Sequence, residues 1–411
     1  MNTNLFKSAI AALALLVAFN SCKKEETKFH IEVTCDPERG TVTGTGDYAE
    51  GSKATIIATP NEGYYFVKWE GSSSADNKIT VNVFADKTYT AIFGKVDVIQ
   101  NFQNGYMRTS ETIDGDTITY EAVPDENYYF LKWSNGDINP VIVTQEAISD
   151  LTPIFRQYPE GSIHALFSVG NGKRVIFSKG NLQFNPTLGT HTRADGTTAP
   201  GTWRFAESQT EIIKDDSIVS ATYDGWIDSF AWGTSGWSGS GATYYQPYDG
   251  YSFGSISEMA DSIGKFFGPQ GEYDLTGDYA YADWGVYNPI SNGGNKPVMW
   301  RTLTKDEFYS IKNTPDIISS SREFGDEHGY VFGFDSDILW NINTINDLSK
   351  YNDILYLSRS IVIEYWSASC SKSSTGCALT CNPKDIFDVH TYIDYRSERR
   401  HLVRLVMDVE E

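Results

Sequence analysis

The stretch Trp226–Tyr248 sets Trp226, Trp232, Trp237, Tyr244, Tyr245 and Tyr248 among glycines and serines. Flat rings on such loops can stack on the apolar faces of sugars while nearby Asp and Asn side chains hydrogen-bond hydroxyls. The same rings can equally pin long loops to a small core, because an aromatic side chain buries a large area wherever it lands. Acids come next. Asp274, Asp278 and Asp283 in DLTGDYAYAD, with Asp335 and Asp337, offer oxygen ligands of the type calcium takes, at a spacing that misses the EF-hand loop. Solvated loop acids are the reading of these residues, no cofactor is expected, and a bound calcium is the alternative. The six histidines, His30, His164, His191, His328, His390 and His401, show no HxxxH or HExxH spacing, and no CxxC occurs, so zinc is not expected. No glycine-rich loop leads from a strand into a helix, which a phosphate cradle requires. Paired acids are too plentiful here to single out a catalytic couple, and no catalytic residue is assigned.

The N-terminus carries chemistry of another sort. Lys7 precedes an apolar run, Ala9–Phe19, which is followed by Asn20-Ser21-Cys22. The run is shorter than the about 20 apolar residues of a membrane span and has the make-up of a secretory signal. The junction Leu16-Val17-Ala18-Phe19-Asn20-Ser21-Cys22 is similar to a lipobox. That resemblance implies cleavage after residue 21 and a mature N-terminus at Cys22 carrying acyl chains such as palmitate, each buried CH₂ contributing about 0.8 kcal/mol of membrane binding. Lys23-Lys24-Glu25-Glu26 resembles the surface-export signal of Bacteroidetes lipoproteins. The expectation is an outer-membrane lipoprotein exposed at the cell surface, with the membrane as a partner through its lipid.

Composition narrows the remainder. With 54 acidic against 33 basic residues in a 411-residue chain, the net charge is −21. Such a balance excludes nucleic acid as a partner and any electrostatic hold on anionic lipid. Aromatic residues make up 14%, with 25 Tyr and 10 Trp, a mixture suited to half-buried pleated surfaces.

An internal repeat organises the first part. Pro60-Asn61-Glu62-Gly63-Tyr64-Tyr65-Phe66-Val67-Lys68-Trp69 recurs as Pro124-Asp125-Glu126-Asn127-Tyr128-Tyr129-Phe130-Leu131-Lys132-Trp133. Gly51–Thr55 matches Gly115–Thr119, and Thr90–Phe93 matches Thr152–Phe155. The period defines two copies of one small domain, 28–94 and 95–156, behind a signal peptide (1–21) and a charged tether (22–27). Lys53–Thr59, Lys78–Val83 and Lys87–Phe93 alternate in polarity, the period-2 mark of half-buried strands. The block Gly63–Trp69 looks like the G-Y-x-F-x-x-W signature of divergent internalin-type B repeats, also known as Listeria–Bacteroides repeats. That family implies small β-grasp-like modules serving as stalks. Asn127 replaces the glycine in the second copy and tolerates the positive φ the turn needs. Trp69 and Trp133 read as core anchors of domains too small to fold without a large aromatic.

A polar segment with Pro159 and Gly161 leads into a third domain, 161–411. Two strands, Ile163–Val169 and Arg174–Phe177, open it around the turn Gly170-Asn171-Gly172. Thr304 with Glu307 three residues on forms a capping box, and Pro315 ends the helix that follows. Ser257–Phe267 reads as a second helix, and Glu364–Cys370, Cys377–Cys381 and Leu402–Val409 as closing strands. Trp300–Phe308 is similar to the W-R-L-P-T-x-x-E-W block of formylglycine-generating-enzyme-like and Fibrobacter major paralogous domains. Tyr365–Ser369 resembles their Y-W-S-S-T block, and Arg400–Val406 their closing S-V-R-x-V strand. The resemblance implies a C-type-lectin-like α+β fold, which hosts binding proteins as often as enzymes.

The enzymatic relatives use two reactive cysteines near the C-terminus, and Cys370, Cys377 and Cys381 lie in that region. Cys377-Ala378-Leu379-Thr380-Cys381 lacks their active-site context, and four steps along a strand span about 13 Å, beyond disulfide reach. Cys370 bridged to Cys377 or Cys381 and unbridged packing thiols remain the alternatives. The expected molecule is therefore multi-domain: two β-rich repeat modules, then an α+β domain. Its expected function is a lipid-anchored surface protein binding a glycan or protein ligand. The alternatives are an oxidase of the formylglycine-generating type and a structural or adhesive component with no small-ligand site.

Overall fold

A computed structural model describes residues 26–213, 219–239, 246–248, 273–314, 318–324, 327–333, 353–359, 364–372, 375–380, 393–395 and 400–409. The expected helix over Ser257–Phe267, the signal segment and Cys22 lie outside them. The chain folds as two compact units: Met1–Val123 with Trp133–Pro153, and Pro124–Lys132 with Ile154–Glu411.

The first repeat contains β1 (Lys28–Cys35), β2 (Gly40–Thr43), β3 (Gly46–Ala49), β4 (Lys53–Pro60), β5 (Tyr64–Glu70), β6 (Lys78–Asn82) and β7 (Lys87–Lys95). They form a four-stranded sheet in the order β3-β1-β7-β5 and a three-stranded sheet β2-β4-β6. Alternation decides which side is buried: Ala54, Ile56 and Ala58 of β4 and Tyr89, Ala91 and Phe93 of β7 point into one core around Trp69. Strands β1 and β7 pair in parallel, Ile31 opposite Lys87, and the other pairings are antiparallel.

The second repeat contains β8 (Val98–Phe102), β9 (Gly105–Glu111), β10 (Ile118–Pro124), β11 (Tyr128–Trp133), β12 (Val141–Thr144) and β13 (Pro153–Gln157), ordered β12-β10-β9-β8 and β11-β13. Its details repeat the first copy. The Trp69 indole N–H donates to Asp76 O at 3.1 Å and that of Trp133 to Asn139 O at 2.8 Å. Asn127 takes φ 66° where Gly63 takes 83°, so the substitution keeps the turn. Both tryptophans are buried anchors, as expected. The two copies differ at one strand. β1 adds Ile31 and Val33 to a core, whereas its counterpart β8 folds back on β9 as a hairpin, leaving Val98 and Ile99 exposed.

The C-terminal unit is α+β with short elements: β14 (Phe167–Ser168), β15 (Arg174–Phe177), β16 (Leu182–Thr192), β17 (Thr198–Phe205), β18 (Ser229–Phe230), α1 (Trp284–Tyr287), β19 (Arg301–Thr302) and α2 (Lys305–Asn313). These are followed by β20 (Ile318–Phe324), β21 (Glu327–Gly333), β22 (Leu355–Arg359), β23 (Glu364–Lys372), β24 (Thr375–Thr380), β25 (Ile393–Tyr395), β26 (His401–Leu402) and β27 (Leu405–Asp408). The sheets are β14-β15-β27-β19, β18-β26-β23-β24-β25, β20-β21-β22 and the long hairpin β16-β17. Two expected strands come out shorter. Only Phe167–Ser168 of Ile163–Val169 pairs as a strand, and Leu402–Val409 is interrupted at Val403 and Arg404. There the Leu182 N–H donates to Val403 O, and the Arg404 guanidinium turns inward to Gln209 Oε1 at 2.7 Å. The capping box at Thr304 and Glu307 forms as expected. Trp203, Trp232, Trp284, Trp300 and Trp366 share one core cluster with Phe184, Phe205 and Phe230. Among the described residues no helix is long and apolar enough to cross a membrane.

Candidate functional site

A cleft of about 490 Å³ opens in the C-terminal unit, lined by Thr190, His191 and Thr192 of β16, Thr202 and Trp203 of β17, and Pro289, Ser291 and Asn295. That volume falls within the ~300–1,000 Å³ common for small-ligand sites. The hairpin reaches the cleft through an irregularity between Asn185 and Thr190. Asn185 Oδ1 accepts the N–H groups of Thr187 and Leu188, both at 3.0 Å, while its Nδ2 donates to Asp224 O at 2.8 Å. The chain therefore bends at a built turn, and Thr190–Thr192 re-enter the ladder opposite Thr198–Pro200. Gly201 is required where it stands: its φ is +95°, and a Cβ there would lie 2.4 Å from the Phe184 ring.

The opposite wall is the loop after α1. Asn292 clamps it to β17, accepting Phe205 N–H at 2.7 Å and donating to Phe205 O at 2.9 Å. The Trp300 indole donates to Gly293 O at 2.8 Å. Within this loop Asn295 has φ 51° and Val298 φ 65°. A β-branched residue in the left-handed region is strained, and such strain persists only where the surroundings over-determine it. The cleft thus has rigid walls on both sides.

His191 links the two walls. Its Nδ1 lies 2.8 Å from Gly201 O and its Nε2 3.1 Å from Asn288 Oδ1. The Asn288 amide is oriented by donating to Ser235 O at 3.0 Å and Trp284 O at 3.1 Å, so its oxygen faces the imidazole. Burial pulls the His191 pKa below its usual value, and the Arg193 charge adds to that, against the two hydrogen bonds. The lining residues carry hydroxyls, an amide, an imidazole, an indole and a proline ring, without a carboxylate or a lysine. Such a surface can hydrogen-bond a polyhydroxylated ligand from several sides and holds no nucleophile paired with a base.

A group of rings extends from Tyr287 of α1. Tyr287 packs on Tyr281 at 5.5 Å between centroids, and Trp237 meets Tyr281 and Tyr279 edge-on at 6.2 and 6.4 Å. Tyr273, about half exposed, stacks on Tyr279 at 4.5 Å.

The aromatic residues expected at a ligand site part company here. Trp232 is a correction: it is 0% exposed and its indole donates to Ser367 O at 2.9 Å, so it is a core residue with no face to offer a ligand. Trp226 is half-buried under the Arg204 guanidinium, 3.9 Å from its ring centroid. Trp237, which also belongs to the ring group above, and Tyr248 are half-buried and pack against the core, and Tyr244 and Tyr245 lie outside the described residues. The acids weighed for calcium are dispersed. Asp274 Oδ1 accepts the Cys370 N–H at 2.7 Å, and Asp278 is exposed. Asp283 is buried as the N-cap of α1, accepting from Gly285 N at 3.1 Å and Thr302 N at 2.7 Å, and burial raises its pKa to about 6. Among the described residues no three His, Cys, Asp or Glu side chains gather as a metal site; Asp335 and Asp337 lie outside them. Cys370 stands opposite Gly376 in the β23–β24 ladder, Cys377 is buried on β24, and Cys381 is not described. The cleft residues themselves escape sequence reasoning. The one signal for them is the turn-rich Asn288–Met299 segment, with Asn, Gly and Pro packed too densely for a plain connection.

The tandem modules are the part of the chain with a recognisable family. The model of the divergent InlB B-repeat domain matches residues 31–97 and again 99–152. The two modules are thus similar to the divergent InlB B-repeat domain. No curated protein and no solved structure matches the chain.

Proposed function

We propose that this is a lipid-anchored cell-surface binding protein. Acylated Cys22 holds it on the outer membrane of a Bacteroidetes-type cell, the B-repeat modules act as a stalk, and the C-terminal domain, of C-type-lectin-like type, binds a glycan. The observation that carries the reading is the cleft between β16–β17 and the loop after α1, whose neutral hydrogen-bonding lining and pinned walls suit the hydroxyls of a sugar. Pre-formed walls lower the ordering cost of binding. The exposed Tyr273 ring offers an apolar face to a further sugar unit.

The test is a glycan-array screen of the soluble chain from Lys28 onward, with and without calcium, followed by the variants Thr192→Val and Ser291→Ala. Reproducible binding that weakens about tenfold on losing either hydroxyl, each hydrogen bond contributing about 1 kcal/mol or somewhat more, supports the reading. A folded protein that retains no glycan on the array defeats it and leaves a protein ligand as the reading of the domain.

A further inference from the structure

Strand β12 of the second repeat is an open edge: its sheet runs β12-β10-β9-β8, and among the described residues β12 pairs only with β10. The register fixes which of its backbone groups are spent. Tyr120 stands opposite Ile142, and the Ala122 N–H donates to Pro140 O, so Pro140, Ile142 and Thr144 turn their backbone groups toward β10. Those of Val141 and Val143 face outward. The Val141 N–H is taken by Asn139 Oδ1 at 3.1 Å, which leaves Val143 presenting both an N–H and a C=O at the edge. The side chains beside them are apolar and open to solvent, Val141 at 38% and Val143 at 63% exposure.

The first repeat supplies an internal comparison. Strand β6 holds the same edge position beside β4, where the Ala58 N–H donates to Asn77 O and Ile79 stands opposite Ile56. By that register Lys78 and Thr80 of β6 are the counterparts of Val141 and Val143. Exposed edges are commonly guarded by charge, above all by lysine, because an unguarded one pairs with another strand. The first copy keeps its lysine, and the second has exchanged both outward residues for valine. No Asp, Glu, Lys or Arg occurs from Ile138 to Gln145, in a chain in which 21% of residues are charged.

We infer that β12 pairs antiparallel with β12 of a second copy of this chain. An edge without charge gives a basic or acidic partner nothing to recognise. Two-fold pairing, by contrast, brings like residues together and is tolerated only where they are uncharged. The axis falls at Val143, the residue with both backbone groups open, so the two copies of Val143 exchange both hydrogen bonds. Val141 and Val143 of the two copies then form one row of four valines on the outer face. Glu146, the first acid past the strand, comes level with Pro140 of the other copy and not with its own counterpart. Two four-residue strands make a small contact, so the association is weak in solution and gains from confinement of many copies on one surface. The inference is independent of the glycan reading.

The test is sedimentation equilibrium on the soluble chain from Lys28, in a concentration series reaching ~0.5 mM, where weak pairs become populated. A monomer–dimer equilibrium is expected. Val143→Pro deletes an outward N–H and leaves the bonds to β10 in place, and Val143→Lys restores the guard. Each is expected to raise the dissociation constant about tenfold or more, and thermal unfolding checks that both are folded. Under mild oxidation Val143→Cys is expected to form a disulfide-linked dimer that the parent chain does not, since Cα atoms of a hydrogen-bonded antiparallel pair lie about 5.5 Å apart, within disulfide reach. Thr80→Cys, at the equivalent place in the first repeat, is the control. A chain that stays monomeric throughout the series overturns the inference. So does a dimer that neither Val143→Pro nor Val143→Lys weakens, or one that Thr80→Cys traps as readily, since its contact then lies elsewhere.

Discussion

Asp228 is buried just before β18, and its Oδ2 accepts the Ile213 N–H at 2.7 Å. Burial raises its pKa to about 7, with Glu211 adding to the rise and the backbone donors opposing it. A carboxyl whose folded pKa exceeds its unfolded one keeps a proton that the unfolded chain releases. Stability from this group is therefore fully present below about pH 4 and is lost as pH rises toward 7. Asparagine can retain the acceptor without ever ionising. Asp228→Asn is expected to match the parent near pH 4 and to be more stable near pH 8, by on the order of 3 kcal/mol. Denaturant unfolding followed by tryptophan fluorescence across that range checks it; a gain of equal size at both ends would show that charge is not the cause. His191 shifts the other way. Its pKa is lowered, so its contribution is present above about pH 6.5 and lost as acid forces a proton onto it.

At the scale of elements, Arg301 ties three of them together. Its Nη1 and Nη2 meet Glu307 Oε2 and Oε1 at 2.8 and 2.7 Å, and its Nε and Nη2 meet Asp408 Oδ2 and Oδ1 at 2.8 and 2.6 Å. Glu307 Oε2 also accepts Thr304 N at 2.8 Å, so one carboxylate caps α2 and anchors it to β19 and β27. Glu307→Ala removes the cap and leaves a largely buried guanidinium half-satisfied. The expected loss is about 3 kcal/mol, against about 1 kcal/mol for a cap alone. An unfolding measurement on Thr304→Ala beside it separates the two parts. This helix was legible in the sequence because capping is local: Thr304 and Glu307 are three residues apart. The repeats were legible for a similar reason, their strands alternating and recurring at one period. The cleft was not, because it joins Thr190–Thr192 to Pro289–Asn295 across roughly 100 residues of chain, beyond the reach of local spacing rules. Nor could composition tell fully buried Trp232 from half-buried Trp237, since both sit in the same Gly- and Ser-rich stretch. Direction is set by pairing partners: β18 ends at Phe230 against His401, two residues before Trp232, and carries the chain into the core.

At the scale of the whole molecule, the acidic chain and its N-terminus bear on each other. A net charge of −21 gives no attraction to anionic lipid, so under the proposed function membrane attachment depends on the acyl chains alone. One acyl chain binds marginally and several on one cysteine bind stably. Replacing Cys22 therefore has a sharp expected outcome. Cys22→Ala, expressed in a Bacteroidetes host, is expected to lose palmitate labelling and to move from the detergent phase to the aqueous phase on detergent partitioning. Its binding domain should stay folded, because the core clusters of that domain draw on residues from Ile163 onward. A second change tests the address separately from the anchor. Replacing Lys23-Lys24-Glu25-Glu26 by alanines keeps the lipid but removes the charge pattern. Protease shaving of intact cells should then no longer reach the protein, although it still fractionates with the outer membrane. Unchanged shaving would mean that surface display is encoded elsewhere in the chain, and a palmitate label that persists in Cys22→Ala would remove the anchor assignment itself.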